Sequence, residues 1–338
     1  MLENNKKIFR GTPWHLSKSG QLDGFTYLMI NFSFLCNYQC KKCFNLKNNK
    51  SNIQNVPITV DKIFALIQEA KAMNGQAVIL AGEGEPSLYQ DIKNIIEKID
   101  ASGMITIIYS NASILTEELI NFYAAHNTSL VISFDSFSPE LYLKLTGNND
   151  ESIFKQVLEN IALARKIYQQ YVKQENGHII VRLAINTTVS SLNMDEVEKI
   201  KKFCGDDIFF ICNPLAKLGN AVGNWRSLLR PDDYKTIESL VKQLSDTTGP
   251  LTLGGNGLCA YSSNGIGVSP AGDYMTCAYT AKTNGLLGNV FNKSLAESYA
   301  FKRQQEQNFY DTYGPCPCLV RSPYFDEYLK KLNRQVGC

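Results

Sequence analysis

No apolar run in this chain of 338 residues approaches the ~20 that a membrane-spanning helix needs. The opening MLENNKKIFRGTPWHLSKSG carries charge but no apolar core of signal-peptide length. Charge of one sign is also missing. The 34 Lys and Arg against 32 Asp and Glu leave a net +2, which implies neither a nucleic acid nor a membrane surface as partner. Histidine is scarce, and His15, His126 and His178 are too scattered to form a ligand set. Repeats and low-complexity segments are absent. The expectation is a cytoplasmic globular protein whose thiols stay reduced. Ten cysteines in such a compartment more often serve metal or redox chemistry than bridges.

With 44% hydrophobic and 20% charged residues, the chain can bury a core in one large domain plus a smaller one. Residues 1–26 read as an irregular lead-in. Apolar runs at 27–35, 77–81, 104–109, 130–135, 179–189 and 207–212 predict strands, and helical spacing over 59–73, 89–102, 116–125, 151–172 and 193–203 predicts helices between them. Thr59 and Thr116, with acidic residues just after them, mark helix starts. Six strands alternating with helices predict an α/β fold, a parallel sheet of right-handed units over 27–225 with its chemistry at the C-terminal strand ends. A linking helix is expected within 226–249. The tail, 250–338, holds a hairpin at GIGVSPAGDYMTC and a helix near 294–307, and is expected to be a small cysteine-rich second domain.

FSFLCNYQCKKCFN, residues 32–45, places Cys36, Cys40 and Cys43 in the loop after the first predicted strand. Three thiols are too few for a closed zinc site and an odd number for disulfides. They suit a centre that keeps one position open, as catalytic zinc does and as a four-iron cluster on three thiolates would. A zinc knuckle with a distant fourth ligand is the alternative.

C-x3-C-x2-C after the first strand of a (βα)6 pattern resembles the radical S-adenosylmethionine superfamily. That family usually has an aromatic residue before the last cysteine; this chain has Lys42 there, with aromatics at Tyr38 and Phe44. The resemblance implies a partial (β/α)6 barrel and cofactor contacts in each strand-end turn. LAGEGEPSL supplies Gly84 and Glu85, with Glu83 where a glycine often sits; a carboxylate and bare carbonyls suit the methionyl ammonium. YSNASIL supplies Asn111, and SFDS supplies Ser133 and Asp135 for the ribose or methionyl end. On the fifth strand, Arg182 and Asn186 would face the cofactor if they point inward. The implied chemistry is one-electron cleavage of S-adenosylmethionine to a 5′-deoxyadenosyl radical, which takes hydrogen from an unactivated carbon. A reducing partner such as flavodoxin or ferredoxin would supply the electron.

Cys259 and Cys277, spaced C-x12-G-x4-C across the predicted hairpin, resemble the opening of the auxiliary-cluster domains called SPASM and twitch. Strands of a hairpin lie about 5 Å apart, so two cysteines can meet one metal there. Cys316 and Cys318 complete a four-thiolate set, with Cys338 as an alternative ligand. Five tail cysteines match one auxiliary 4Fe–4S cluster, hence twitch, making two clusters in all; a zinc site is the alternative. Cys204 reads as core packing. Cys212, ending the sixth strand, is a candidate hydrogen donor, with a small core residue as the alternative.

The reaction implied is an oxidation, because the second cluster can accept an electron, and a ribosomally made peptide is the preferred substrate because enzymes of this kind that act on peptides are common. Dehydrogenation or epimerisation of a sugar or aminocyclitol in natural-product biosynthesis is the alternative. A zinc-binding module without catalysis is the competing class.

Overall fold

The lead-in carries regular structure, contrary to expectation. Lys7–Phe9 forms a short strand (β1) and Pro13–Ser17 a short helix (α1). Three residues are too few to show a period, so this strand has no sequence signal. The computed structural model describes residues 7–17, 21–31, 35–44, 58–82, 84–246, 259–276, 287–316, 322 and 324–336.

Six parallel strands follow, at the expected places: Tyr27–Asn31 (β2), Ala77–Ala81 (β3), Ile105–Ser110 (β4), Thr128–Ser133 (β5), Leu183–Val189 (β8) and Phe209–Pro214 (β9). Each pairs with the next in one sheet. The helices between them are Val60–Ala72 (α2), Ile92–Ala101 (α3), Glu117–Ala125 (α4), Pro139–Thr146 (α5), Glu151–Tyr168 (α6) and Val197–Cys204 (α7). Thr59 and Thr116 cap as expected, accepting from the N–H groups of Lys62 at 3.3 Å and Leu119 at 3.2 Å. Caps of this kind contribute ~1 kcal/mol each.

Both faces of these strands are buried, which is why they read as continuous apolar runs. Leu28, Ile30, Val78, Leu80, Leu130 and Ile132 pack outward against the helices. Tyr27, Met29, Ile79, Ile107, Val131 and Phe209 form a separate inner cluster. The lead-in closes the base of that inner space. Phe9 packs within the inner cluster, the Tyr27 hydroxyl donates to the Gly11 carbonyl at 3.0 Å, and the Ser129 hydroxyl donates to the Arg10 carbonyl at 2.9 Å.

The run expected as one strand over 179–189 is broken. Lys173–Glu175 (β6) and His178–Val181 (β7) form an antiparallel hairpin turning at Asn176 and Gly177, both at positive φ. β7 also pairs with β1. Arg182 sits in the break before β8.

Beyond β9 lie Asn220–Leu228 (α8) and the linking helix Tyr234–Leu244 (α9). After Ala260–Ser263 (α10) comes the expected hairpin, Gly265–Val268 (β10) and Tyr274–Met275 (β11), with Gly272 at φ 86°. β10 pairs in parallel with β2, so the hairpin extends the barrel sheet. Leu295–Tyr313 (α11) and Phe325–Val336 (α12) are the last helices among the described residues. No helix among the described residues is long and apolar enough to cross a membrane.

Candidate active site

The inner side chains are buried at the base and open at the other end. Tyr27, Ala77, Ile105 and Phe209 are buried, whereas Ala81, Tyr109, Ser133, Asn186 and Ile211 are partly exposed and Asn213 is exposed. The open end is the C-terminal one. There the mouth is polar: Ser133 pairs in register with Asn186, whose Oδ1 accepts from Asn213 Nδ2 at 3.2 Å.

The cysteine loop crosses this mouth. Its backbone is zipped to the end of α5, with Gln39 N–H donating to the Thr146 carbonyl and Lys41 N–H to Leu145, both at 3.0 Å. Gly147 is at φ 70°, and a side chain there would meet the Gln39 carbonyl at 2.5 Å, so glycine is required for the approach. From the other side α8 anchors the loop: Ala221 N–H donates to the Cys43 carbonyl and Asn220 Nδ2 to the Cys40 carbonyl, each at 3.3 Å.

Cys36, Cys40 and Cys43 are half-buried, and no disulfide forms among the seven described cysteines. Burial pushes the Cys40 thiol up to about 12; Lys42 opposes this, while Cys43 and Cys36 add to it. A desolvated Cys40 thiol with two other thiols near it needs a cationic centre to become a thiolate. Among the described residues no three His, Cys, Asp or Glu side chains converge on a single-ion site. A four-iron cluster gives each thiolate its own iron, so the donor set fits that group.

The aromatic packing comes from Tyr38 rather than from position 42. Tyr38 is buried and its ring meets Tyr142 edge-on at 6.5 Å. Tyr142 in turn packs on Phe134 and Phe154. Lys42 is ion-paired with Asp135 instead.

The turn after β3 is tightly built. Gly82 is at φ 117°, and a side chain there would collide with the Asn31 side chain. Glu85 is buried, its Oε1 accepting from Ser87 N–H at 3.2 Å and its Oε2 from Asn111 N–H at 2.7 Å. Burial raises its pKa, opposed by those donors. Both oxygens therefore already accept backbone N–H groups and tie the second turn to the third. Gly84 lies beside it, half-buried, and Glu83 falls outside the described residues. Asn111 Nδ2 donates to Asn37 Oδ1 at 2.9 Å, which couples the third turn to the cysteine loop. Nothing in the sequence marks Asn37 for this part.

Two expectations fail. Arg182 does not face the cofactor. It lies at the N-terminal end of β8, and its guanidinium donates to the carbonyls of Ala124 and Thr128, at 2.9 Å each, over the Tyr171 ring. The interruption between β7 and β8 at 182 turns it out of the barrel. Cys212 does not face the mouth either. Phe209 and Ile211 point into the barrel, so Cys212 points out; it is fully buried, with its N–H on Ser245 Oγ at 3.0 Å and its thiol facing the Val241 carbonyl of α9. That placement turns the thiol away from the barrel interior and toward α9.

In the tail, Cys259 precedes α10 and Cys316 follows α11. Both lie close enough to Tyr310 to raise its hydroxyl pKa, as does Glu306, although burial is the main cause. Cys277, Cys318 and Cys338 lie outside the described residues.

The Radical SAM superfamily pattern matches residues 30–204, from β2 through α7. Among curated proteins, the GTP 3′,8-cyclase of Actinobacillus succinogenes is 28% identical over 139 residues, 40% of this chain and 40% of that protein. The GTP 3′,8-cyclase of Limosilactobacillus fermentum is 24% identical across 79% of this chain and 73% of its own. The first of these matches spans well under half of the relative, so whole-protein activity does not transfer. Among solved structures, Streptococcus suis SuiB bound to precursor peptide SuiA matches with TM-score 0.61 at 16% identity, over 84% of this chain and 66% of SuiB. anSMEcpe with bound AdoMet and a peptide matches with TM-score 0.59 at 16% identity, over 92% and 96%. At those identities the likeness is one of fold.

Proposed function

This chain belongs to the radical S-adenosylmethionine superfamily, and from that premise we propose that it oxidises a ribosomally made peptide at an unactivated carbon. The observation that carries this reading is the three-thiol loop laid across a polar, open barrel mouth whose other end is sealed. Cys36, Cys40 and Cys43 would hold a 4Fe–4S cluster and leave one iron for S-adenosylmethionine. When bound, that pair supplies a carbon-centred radical able to remove hydrogen from carbon.

The chain's own residues organise the rest. The bare backbone at Gly82 and Gly84 lets the cofactor's methionyl end approach, and Glu85 holds that turn against Asn111. The same GEGEP stretch carries a second carboxylate, Glu83, as the next candidate after Glu85 for the methionyl ammonium. Ser133 and Asn186 line the mouth where the ribose and substrate would lie. Phe9 and the inner apolar cluster keep water out from below, which a reactive carbon radical requires.

We read residues 27–225 as the radical core, 226–249 as the linking segment and 250–338 as a twitch-like unit. The spacing of the tail cysteines supports an auxiliary cluster on Cys259 and Cys316, with Cys277 and Cys318 or Cys338 as its other ligands. A second cluster can take an electron from the substrate, which favours oxidation over epimerisation, and Cys212 no longer offers a thiol route to the latter. The peptide-bound SuiB fold neighbour supports a peptide substrate. A nucleotide substrate is the second reading, supported by curated relatives named GTP 3′,8-cyclase and nucleotide dehydratase.

Deuterated substrate pools discriminate the two. Reconstituted protein with S-adenosylmethionine and dithionite is offered deuterated peptides or deuterated GTP. Deuterium in 5′-deoxyadenosine from peptide alone, with product two hydrogens lighter, supports the first reading; transfer from GTP alone replaces it with the second.

A further inference from the structure

Lys42 departs from the aromatic residue of the family pattern, and its ammonium is ion-paired with Asp135 Oδ2. Both side chains are largely withdrawn from water, at 11% and 3% exposure. Asp135 is held rigidly on the barrel side. Its Oδ1 accepts from Thr188 N–H at 3.0 Å, and its carbonyl accepts from Asn193 Nδ2 at 3.1 Å. The carboxylate thus belongs to the ends of β5 and β8, whereas the ammonium belongs to the cysteine loop, one residue from Cys43 and two from Cys40.

We propose that Lys42 and Asp135 bear with opposite signs on the reduction potential of the cluster held by Cys36, Cys40 and Cys43, and that their pairing balances the two. The inference rests on that cluster being bound there. Reduction brings one electron from a low-potential one-electron donor, such as dithionite or a flavodoxin-class protein, and adds one negative charge to the centre. No bond and no proton changes at the ion pair. A nearby ammonium favours the reduced state and a nearby carboxylate opposes it. Buried charges are screened little by salt, so these effects persist at physiological ionic strength. An aromatic ring at position 42 would supply neither charge. Intact, the two charges largely offset each other; with one removed, the other acts alone.

The sign of the effect therefore depends on which partner is lost, and a purely structural role would not produce opposite signs. The test is a potential titration, followed by electron paramagnetic resonance, of the reconstituted full chain, reading the signal that responds to S-adenosylmethionine. Asp135→Asn leaves the ammonium and is expected to favour reduction about tenfold, a shift of ~59 mV to higher potential. Lys42→Met leaves the carboxylate and is expected to shift the potential by a similar amount the other way. Lys42→Gln, which still hydrogen-bonds Asp135, carries the same expected sign should the methionine variant not fold. The Lys42→Met/Asp135→Asn pair should return close to the wild-type potential. Shifts of one sign in both single variants, or no shift, would overturn the inference and leave the cluster intact. A wild-type chain that takes up no iron would overturn the inference together with the reading beneath it.

Discussion

Tyr38 and Tyr142 share a hydrogen bond between their hydroxyls, 3.0 Å long, in a part of the core that water does not reach. One ring belongs to the cysteine loop and the other to α5, so this contact fixes the loop's depth in the protein. Tyr38→Phe leaves the buried Tyr142 hydroxyl without that partner and should cost ~1–3 kcal/mol of stability. Tyr38→Ala removes the ring as well and should cost ~3–5 kcal/mol. Denaturant midpoints of the two variants, measured alongside iron content, check the order and the coupling to the loop.

Gly82 tolerates no side chain at φ 117° against Asn31. Gly82→Ala must move either the turn or Asn31, at a strain of ~1–3 kcal/mol. The turn is where the methionyl end would bind, whereas the thiols stand on another loop. The variant should keep its iron and lose most of its affinity for S-adenosylmethionine, as read by equilibrium binding. Unchanged affinity would detach this turn from cofactor binding.

Burial, with Arg10 adding and Glu175 opposing, brings the His15 imidazole down to about 4 from the ordinary 6.5. The folded state therefore binds this proton more weakly than the unfolded chain. The contribution is fully present above pH 6.5 and is lost as pH falls toward 4. His15 lies on α1 in the plug at the barrel base, so the hydrogen-exchange protection factors of residues 7–17, taken relative to the intrinsic rate at each pH, should fall over that window. His15→Gln should remove the pH dependence; a slope that survives would place its origin elsewhere.

Cys212→Ala should leave iron content, turnover and product unchanged, with a stability cost of ~1 kcal/mol for a small buried side chain. Turnover assays in heavy water check this. Loss of turnover, together with solvent deuterium in the product of the wild type, would contradict the outward placement of the thiol.

Much of the barrel was legible because strands buried on both faces give unbroken apolar runs bounded by turns. The three-thiol loop was legible because its spacing is local. What was not legible depends on facing. Cys212 and Ile211 are adjacent, and only the register with β8 decides which points inward. Arg182 and Asn186 have matching parity in an uninterrupted strand, but the run breaks at Arg182, between the end of β7 at Val181 and the start of β8 at Leu183. The Ser138–Pro139 start and Gly147 stop of α5 were available as signals, yet that eight-residue helix was not anticipated. The Lys42–Asp135 pair joins residues 93 positions apart, which no local pattern reports.

Metal and sulfide analysis of the anaerobically purified full chain, paired with an assay for S-adenosylmethionine cleavage, tests the central claim most directly. About eight irons with matching sulfide per chain are expected, as two four-iron clusters require. Replacing Cys36, Cys40 and Cys43 together by Ala should remove about half of that iron and all cleavage. Colourless protein carrying stoichiometric zinc, or cleavage that survives the triple replacement, would contradict it.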